Sequence, residues 1–345
     1  MEKMIPGKKL GSGLVFGKFM PLHDGHIHLL RFAQQSCQRL TILVCSLPTE
    51  PIPGEVRFQW VKEMFPAANV VHHYIDIPQD PSEDPNFWSI WNGSIKRHCP
   101  DEEFDALFGS EDYGWKMAEK MGIQYIPVNR LRDLVPVSGT AVRTDPMENW
   151  KYIPSVVRPY FVKRVCLVGP ESVGKSTMAK LLAEKYETPF VDEYARRLLD
   201  EYVANRGYKP GEVREEDIAT IARGQIVTED AMARRANRLL FCDTDLITTV
   251  YWSDFFFGKC PDWIATEAER RKYDLYILLS PDTPWVDDHQ RAMPEQEKRE
   301  AHHKWLEMEL IRRGRPFVKI SGNWQQRFDQ ACKAVDRLLQ TKTPA

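Results

Sequence analysis

The chain has 345 residues, a formal net charge of −2, 43% hydrophobic residues and 28% charged residues. This composition is typical of a soluble globular protein, and the charge gives no electrostatic case for nucleic acid as the main partner. No apolar run approaches the ~18 residues of a membrane span, so no membrane partner is expected. Residues 1–10 lack an apolar secretory core, and the seven scattered cysteines form no C-x-x-C pair. We therefore expect a cytoplasmic protein with free, buried thiols.

Strands and helices alternate along the first half of the chain. The apolar patterns predict strands at 13–19, 40–46, 70–77, 104–109 and 123–128, and helices at 27–37, 55–65, 88–98 and 113–121. Such alternation predicts a parallel sheet covered by helices on both faces. Ligands of such sheets bind beyond the carboxyl ends of the strands.

A second α/β domain is predicted in the remaining half. The proline-bearing stretch 146–162 has no strand pattern, which indicates a domain boundary. The predicted organisation is a lead at 1–12, a first domain at 13–150, a linker at 151–161 and a second domain at 162–345. Strands of the second domain are expected at 162–168, 190–191, 239–242, 274–279 and 316–320. A long helix at 218–240 is expected to run into the third of them.

A phosphate loop lies near the middle of the chain. Gly169–Ser176 has the form G-x-x-x-x-G-K-S, between the apolar run 162–168 and a helical pattern at 177–185. Backbone N–H groups of such a loop converge on phosphate oxygens, and Lys175 would reach the β- and γ-phosphates. The hydroxyl of Ser176 would be a ligand of Mg²⁺. The predicted ATP contacts are Gly169, Glu171, Ser172, Gly174, Lys175, Ser176, Thr177 and, after the last strand, Asn323.

Two further motifs belong to the first domain. Residues 17–26 have the form G-x-F-x-P-x-H-x-G-H at the end of a predicted strand, and residues 138–143 have the form S-x-T-x-x-R. Ser138 suits a helix N-cap, which places Arg143 one turn into the helix. The two histidines alone could be solvated loop residues. The occurrence of both motifs in this order instead predicts a phosphate channel.

These motifs resemble those of the H-x-G-H nucleotidyltransferase superfamily. The resemblance implies that a substrate phosphate attacks the α-phosphate of ATP and releases pyrophosphate. Catalysis would come from alignment and charge neutralisation, without a side-chain nucleophile. The implied ATP-binding residues are Gly17, Lys18, Phe19, His23, His26, Ser138, Thr140 and Arg143, with His23 and His26 as catalytic residues.

The segment Pro53–Arg57 resembles the G-E-R segment of nicotinamide mononucleotide (NMN) adenylyltransferases. Arg57 would then hold a nucleotide phosphate, although Val56 makes the spacing one residue longer. Trp88 and Trp91 could stack on a pyridinium ring, and the alternative is that they belong to the core.

Acidic residues follow two strands of the second domain. Asp243 could ligate Mg²⁺ or accept a proton from an attacking hydroxyl, and Asp192 or Glu193 could grip ribose hydroxyls. Structural helix caps are the alternative for each acid. Residues 285–291 are expected to open a charged helical region in which Arg291 closes over the phosphates, the alternative being a solvated helix.

Together, both halves resemble the NadR-type bifunctional NMN adenylyltransferase/ribosylnicotinamide kinase family. The resemblance implies phosphorylation of ribosylnicotinamide to NMN by MgATP, followed by adenylyl transfer to give NAD. The implied catalytic residues are His23, His26, Lys175, Asp243 and Arg291. The implied ribosylnicotinamide contacts are Asp192, Glu193, Tyr194, Arg196 and Asp245. The expected partners are ATP, ribosylnicotinamide, NMN and NAD. DNA is not expected, because only about a dozen residues precede the first strand, and homo-oligomerisation is left open.

Two other functions compete with this interpretation. One is a fusion of pantetheine-phosphate adenylyltransferase with dephospho-coenzyme-A kinase, which shares the H-x-G-H motif and the phosphate loop. The other is a non-catalytic nucleotide sensor, which would need decayed catalytic positions.

Overall fold

The computed structural model describes residues 9–131, 133–288 and 290–341. The chain divides into two compact units, with the division between residues 157 and 158. Each unit has its own five-stranded parallel sheet with helices around it. The predicted α/β class with two parallel sheets is therefore confirmed. Most of the predicted N-terminal lead, residues 1–8, lies outside the described residues.

The first unit places its earliest strand at the centre of the sheet. Its elements are β1 Leu10–Gly17, α1 Asp24–Ser36, β2 Cys37–Ser46, α2 Gly54–Met64, β3 Asn69–Tyr74, α3 Phe87–His98, β4 Ala106–Gly109, α4 Gly114–Met121, β5 Gln124–Pro127 and α5 Gly139–Thr144. The strand order is β3-β2-β1-β4-β5. The order reverses between β1 and β4, and ligands of open α/β sheets bind at such a reversal.

The second unit also has its first strand in the middle. Its elements are α6 Arg158–Phe161, β6 Lys163–Val168, α7 Lys175–Lys185, β7 Phe190–Val191, α8 Tyr194–Asn205, α9 Glu215–Ala233, β8 Leu239–Asp243, α10 Leu246–Phe257, α11 Asp262–Arg270, β9 Leu275–Leu279, α12 Gln296–Arg312, β10 Phe317–Ile320 and α13 Trp324–Gln340. The order is β10-β9-β6-β8-β7, so the phosphate loop leaves the central strand. Every residue of β8 and β9 is buried, as expected for strands covered on both faces.

Two predicted helical stretches need correction. The helix expected at 218–240 ends at Ala233, because the chain must turn before β8 and Arg238 adopts a left-handed φ of 66°. The described residues of the stretch 285–291, namely 285–288 and 290–291, are not helical, and α12 begins only at Gln296. Pro294 explains this start, because a proline disfavours helical backbone in the residue before it.

The state of the cysteines agrees with the expectation of free, buried thiols. All seven cysteines are free, and six of them are buried. No helix within the described ranges is long and apolar enough to cross a membrane.

Candidate active sites

The H-x-G-H loop is built against the start of α1. His23 is the N-cap of this helix, and its Nδ1 accepts from the backbone N–H of His26 at 3.4 Å. The two imidazoles stack with their centroids 3.7 Å apart, and the ring of Phe19 packs edge-on against His26 at 5.1 Å. His23 is buried. The motif therefore presents both histidines at a helix N-terminus, where backbone N–H groups favour a phosphate.

The second motif of the first unit docks on this loop, 123 residues along the chain. Ser138 caps α5 by accepting from the N–H of Ala141 at 3.1 Å, as predicted. The guanidinium of Arg143 donates to the carbonyl of Met20 and, at 3.1 Å, to Oγ1 of Thr140. Glycine is required at 139, because a Cβ there would lie 2.6 Å from the Met20 carbonyl oxygen. The structure thus brings the two predicted motifs into direct contact.

A cavity of about 150 Å³ opens beside the H-x-G-H loop, at the carboxyl ends of β1 and β4. Four predicted residues line it, namely Gly17, Lys18, Phe19 and His26. Residues with no assigned role also line it, among them Phe16, Ser110, Glu111 and Tyr113. Ser138, Thr140 and Arg143 lie outside this lining, on the docked helix.

Arg57 is buried and structural, which corrects its assignment as a substrate contact. Its side chain is fully buried and donates to four protein oxygens, the carbonyls of Lys18, Cys45 and Ile52 and the carboxylate of Glu50. Glu50 also pairs with Lys18 at 2.9 Å. Hydrogen bonds and these two cations lower the pKa of Glu50 against the effect of burial, which raises it. Arg57 therefore supports the backbone of the phosphate-facing loop and presents no guanidinium to the solvent.

Trp91 is also part of the core, so its assignment to the pyridinium ring is corrected. Its indole N–H donates to the carbonyl of Pro78 at 2.7 Å, and its ring stacks on His73 and Phe16 with centroids 5.5 and 5.6 Å apart. Helical spacing turns Phe87, Trp91 and Ile95 of α3 to the same buried face. Trp88 is half-buried against Phe87 and lies outside the cavity lining.

The phosphate loop of the second unit has the predicted strand–loop–helix form. Lys175 begins α7, and its ammonium donates to the carbonyls of Gly169 at 3.0 Å and Pro170 at 2.9 Å. Ser176 and Thr177 are exposed at the helix N-terminus. Gly174 has a φ of 87°, and a Cβ there would lie 2.8 Å from the ring of Trp324.

α13 supports this loop from beneath. Arg327 is fully buried and donates to the carbonyls of Val173 at 3.1 Å, Ser280 at 2.9 Å and Gly322 at 2.8 Å. It also pairs with Asp282. These contacts tie the phosphate loop, the end of β9 and the start of α13 into one structure.

Asp243 is the buried acid of this site. It ends β8, and burial together with the nearby charge of Glu193 raises its pKa to about 6. Lys175, Ser176 and Arg196 act in the opposite direction. Within the described part of the chain, its Oδ1 has no hydrogen-bond partner. Asp243 is therefore a buried acid with one unused oxygen, and it lies behind the residues that line the cavity.

Three other predicted contacts fall outside the cavity. Asp245 caps α10 by accepting from the N–H of Thr248 at 3.0 Å, and its other oxygen accepts from Tyr276 at 3.0 Å. Its assignment to ribosylnicotinamide is corrected, because both oxygens are buried and hydrogen-bonded within the protein. Asp192 is exposed beside the site, and the side chain of Asn323 caps α13.

The segment 283–293 is fastened to the phosphate loop by side chains of the loop itself. The carboxylate of Glu171 accepts from the N–H groups of Ala292 and Met293 at 2.9 to 3.0 Å. The Ser172 hydroxyl accepts from Arg291 at 3.0 Å. Arg291 thus stands at the phosphate loop, as predicted, although on an irregular segment.

The same segment reaches α8 through one carboxylate. Oδ2 of Asp288 forms ion pairs with Arg196 at 2.7 Å and with Arg291 at 3.0 Å. The cavity of about 190 Å³ beneath the segment includes the predicted Gly169, Glu171, Ser172, Gly174, Lys175, Ser176, Thr177, Glu193, Tyr194, Arg196 and Arg291.

Several lining residues were not predicted. They are chiefly apolar and amide side chains of α9 and α10, such as Ile221, Gln225, Thr248, Trp252 and Phe256. In sequence the aromatic run of α10 is typical of a core helix, so no local signal marks it. An aromatic wall beside a phosphate loop suits a planar ring attached to a sugar.

Known proteins resemble this chain in sequence and in fold. The sequence model of the family described as AAA domain matches residues 164–327. The trifunctional NAD biosynthesis/regulator protein NadR of Escherichia coli (strain K12) is 28% identical over 354 aligned residues, covering 97% of this chain and 85% of that protein. Its counterpart from Salmonella typhimurium matches with the same identity and coverage. A crystal structure of NadR protein in complex with NR superposes with a TM-score of 0.77 at 23% identity, covering 98% and 99% of the two chains.

The chain has the NadR fold. A second NadR structure, in complex with NAD and AMP-PNP, superposes with a TM-score of 0.76. The resemblance to NadR-type proteins covers nearly the whole chain and both of its units.

Proposed function

We propose that the chain is a two-step enzyme of NAD synthesis. The second unit phosphorylates the 5′-hydroxyl of ribosylnicotinamide with MgATP, and the first unit transfers an adenylyl group from ATP to the resulting NMN. One observation carries this proposal: two phosphate-binding loops of different type stand at the carboxyl ends of separate parallel sheets. The NadR relatives, whose name assigns them to NAD biosynthesis, support the choice of substrates.

The kinase step needs charge neutralisation and a proton acceptor. The 5′-hydroxyl oxygen attacks the γ-phosphorus, its proton passes to a carboxylate, and ADP leaves. Asp243 or Glu193 is the acceptor, since the charges of Glu193 and Lys175 both act on Asp243 and both of these residues line the cavity. Lys175 and Arg291 offset the charge on the phosphoryl oxygens.

The residues of this site fit a magnesium ion bound with ATP. The hydroxyl of Ser176 and the buried Oδ1 of Asp243, which lacks a protein partner among the described residues, would hold it. When bound, the ion would neutralise phosphate charge. The described residues contain no cluster of three or more His, Cys, Asp and Glu suited to a metal. This agrees with an ion held mainly by phosphate and water oxygens.

The adenylyl step uses the first site without a protein nucleophile. An oxygen of the NMN phosphate attacks the α-phosphorus of ATP, and pyrophosphate leaves. His23, His26 and Lys18 stand on the loop beside the cavity, and Arg143 holds that loop through the Met20 carbonyl. Alignment of the two phosphates is the main contribution of such a site.

One incubation tests both steps. The protein is mixed with MgATP and ribosylnicotinamide, and the products are followed by chromatography. NAD that appears after transient NMN is the expected result. The coenzyme-A fusion is tested in parallel with pantetheine phosphate and dephospho-coenzyme A. Turnover of these compounds without turnover of ribosylnicotinamide would replace our proposal. A protein that binds ATP and turns over neither pair would be a sensor.

We further propose that small molecules, and not DNA, are the partners of this chain. An electrophoretic shift assay at physiological salt is expected to show no operator complex.

A further inference from the structure

A buried polar network leads from the kinase cavity into the interior of the second unit. Gln225 of α9 lines the cavity and is 2% exposed. Its Oε1 accepts from the backbone N–H of Tyr194 at 3.1 Å, and its Nε2 donates to Glu229 at 3.1 Å. Glu229, on the next turn of α9, is 1% exposed. The side-chain amide thus joins the first residue of α8 to a carboxylate on α9.

Only one orientation of this amide satisfies both neighbours. A backbone N–H can only donate, so it must face the amide oxygen. An ionised carboxylate can only accept, so it must face the amide nitrogen. Tyr273 donates to Glu229 at 2.8 and 3.0 Å, and Arg271 lies 3.5 Å away. Burial raises the pKa of Glu229, and these three donors oppose that rise.

The network fixes Tyr194, the residue next to Glu193, which is one of the two candidate proton acceptors. Tyr194 follows Glu193, the N-cap of α8, whose side chain makes no capping hydrogen bond. The carboxylate of Glu193 is near enough to Asp243 to help raise its pKa. Packing acts at the same point, because a Cβ on Gly224 would lie 2.0 Å from the ring of Tyr194. The start of α8 is therefore held against α9 by one hydrogen bond and one ring contact.

We propose that Gln225 is a positioning residue of the kinase site, with Glu229 orienting its amide. Gln225 holds the Glu193–Tyr194 peptide so that the carboxylate of Glu193 stands beside Asp243 and Lys175. This inference rests on the proposed kinase activity. It adds a role for α9, which carries none of the sequence motifs. Among the described residues, the hydrogen bonds of this amide go to Tyr194 and Glu229 and not to the phosphate loop, so the role concerns turnover and not ATP affinity.

The first test replaces the amide by a side chain of similar size, Gln225→Met. We expect the kinase kcat to fall about 100-fold, as for other displaced catalytic groups. The dissociation constant for ATP should stay within about twofold, and adenylyl transfer by the same protein should be unchanged. The matched control is Asp230→Asn, which removes the negative charge that pairs with Arg271 at 2.6 Å at the outer end of the network. This control should retain wild-type turnover. A Gln225→Met variant with wild-type kcat, or with ATP affinity reduced in parallel with kcat, would overturn the role.

A reciprocal exchange tests the orientation itself. Gln225→Glu alone places two carboxylates at the 3.1 Å contact. Adding Glu229→Gln restores a donor between positions 229 and 225, while the carboxylate at position 225 still accepts from the N–H of Tyr194. We expect the double variant to turn over at least about 10-fold faster than Gln225→Glu, because a lost hydrogen bond to a charged group is restored. Equal turnover of the single Gln225→Glu variant and the double variant would contradict the proposal, even if Gln225→Met failed to fold. Wild-type protein that does not phosphorylate ribosylnicotinamide would refute the proposed function instead.

Discussion

The two sites secure their phosphate-facing loops in different ways. In the first unit, two arginines donate to main-chain carbonyls of the loop, the buried Arg57 to Lys18 and the partly buried Arg143 to Met20. In the second unit, the buried Arg327 also holds one carbonyl of the loop, but the loop's own side chains, Glu171 and Ser172, reach out to the segment 283–293. The first arrangement is a packed framework, whereas the second adds a set of charges around a cavity.

Because of this difference, we expect the residues that hold the first loop to affect mainly stability, and the charged residues around the second loop to affect mainly turnover. A buried arginine that holds carbonyls leaves unpaired polar groups when it is removed, so the fold suffers. A charged residue at a cavity can be removed with less damage to the fold, and the transition state loses an interaction instead. Substitutions in the two units should therefore give different signatures.

The largest effect should come from removing one phosphate-binding group in each unit. Lys175→Ala should lower kinase turnover by about 10²–10³-fold, and His26→Ala should do the same for adenylyl transfer. Each variant should keep the other activity, which makes it its own control for folding. Separate assays with ribosylnicotinamide and with NMN measure the two rates. Loss of both activities in a well-folded variant would contradict two independent sites.

Arg57→Ala should destabilise the first unit. Its removal leaves Glu50 buried beside empty space, and breaking a buried pair costs about 3–5 kcal/mol. Urea unfolding monitored by circular dichroism would measure this loss. Arg291→Ala is the contrasting variant, and it should lower the kinase rate with little change in unfolding. A fully stable Arg57→Ala protein with a raised KM for NMN would restore the discarded substrate role.

Two glycines of the first unit should respond in opposite directions. Gly139→Ala places a Cβ 2.6 Å from the Met20 carbonyl oxygen, so the motif helix must shift and adenylyl transfer should fall. Gly93→Ala, inside α3, meets nothing closer than 3.6 Å and should stabilise the protein by about 0.4–1 kcal/mol. Turnover and thermal midpoints of the two variants test this contrast. Equal effects would mean that the docking of the two motifs is loose.

The last prediction concerns stability in acid. Burial lowers the pKa of His302 to about 3 from 6.5, and its ring stacks on Tyr251 with centroids 3.7 Å apart. A lowered pKa means that the folded state requires the neutral ring. The contribution of His302 to the free energy of unfolding is therefore complete above pH 6.5, and it decreases as the pH falls from 6.5 towards 3.

His302→Phe keeps the stacking and removes this dependence. The variant should lose less unfolding free energy than the wild type between pH 7 and pH 4. The variant should still lose part of its unfolding free energy in acid, because burial also lowers the pKa of His73, to about 4. Identical pH profiles of variant and wild type would show that His302 is not the group responsible.

Local motifs made much of this molecule predictable. The phosphate loop and the H-x-G-H loop depend on residues adjacent in sequence and on the strand and helix around them. The sequence also places Ser138 at a helix N-cap, where it is found. Each of these features is determined by backbone geometry within a few residues.

The wrong assignments of site residues share one cause, which is burial decided by distant residues. Arg57, Trp91 and Asp245 have the chemistry of ligand-binding residues, but their polar groups form hydrogen bonds with other parts of the fold. The roles of Glu50 and Gln225 were missed for the same reason, since their partners Lys18 and Tyr194 are about 30 residues away. No local pattern records such a pairing.

The support beneath the phosphate loop has a consequence for synthesis on the ribosome. Arg327 holds the carbonyl of Val173 across 154 residues of sequence. A nascent chain therefore exposes the loop long before it contains the arginine and the tryptophan that complete it. The kinase site becomes able to bind nucleotide only late in translation, whereas the first unit has by then all of its own strands.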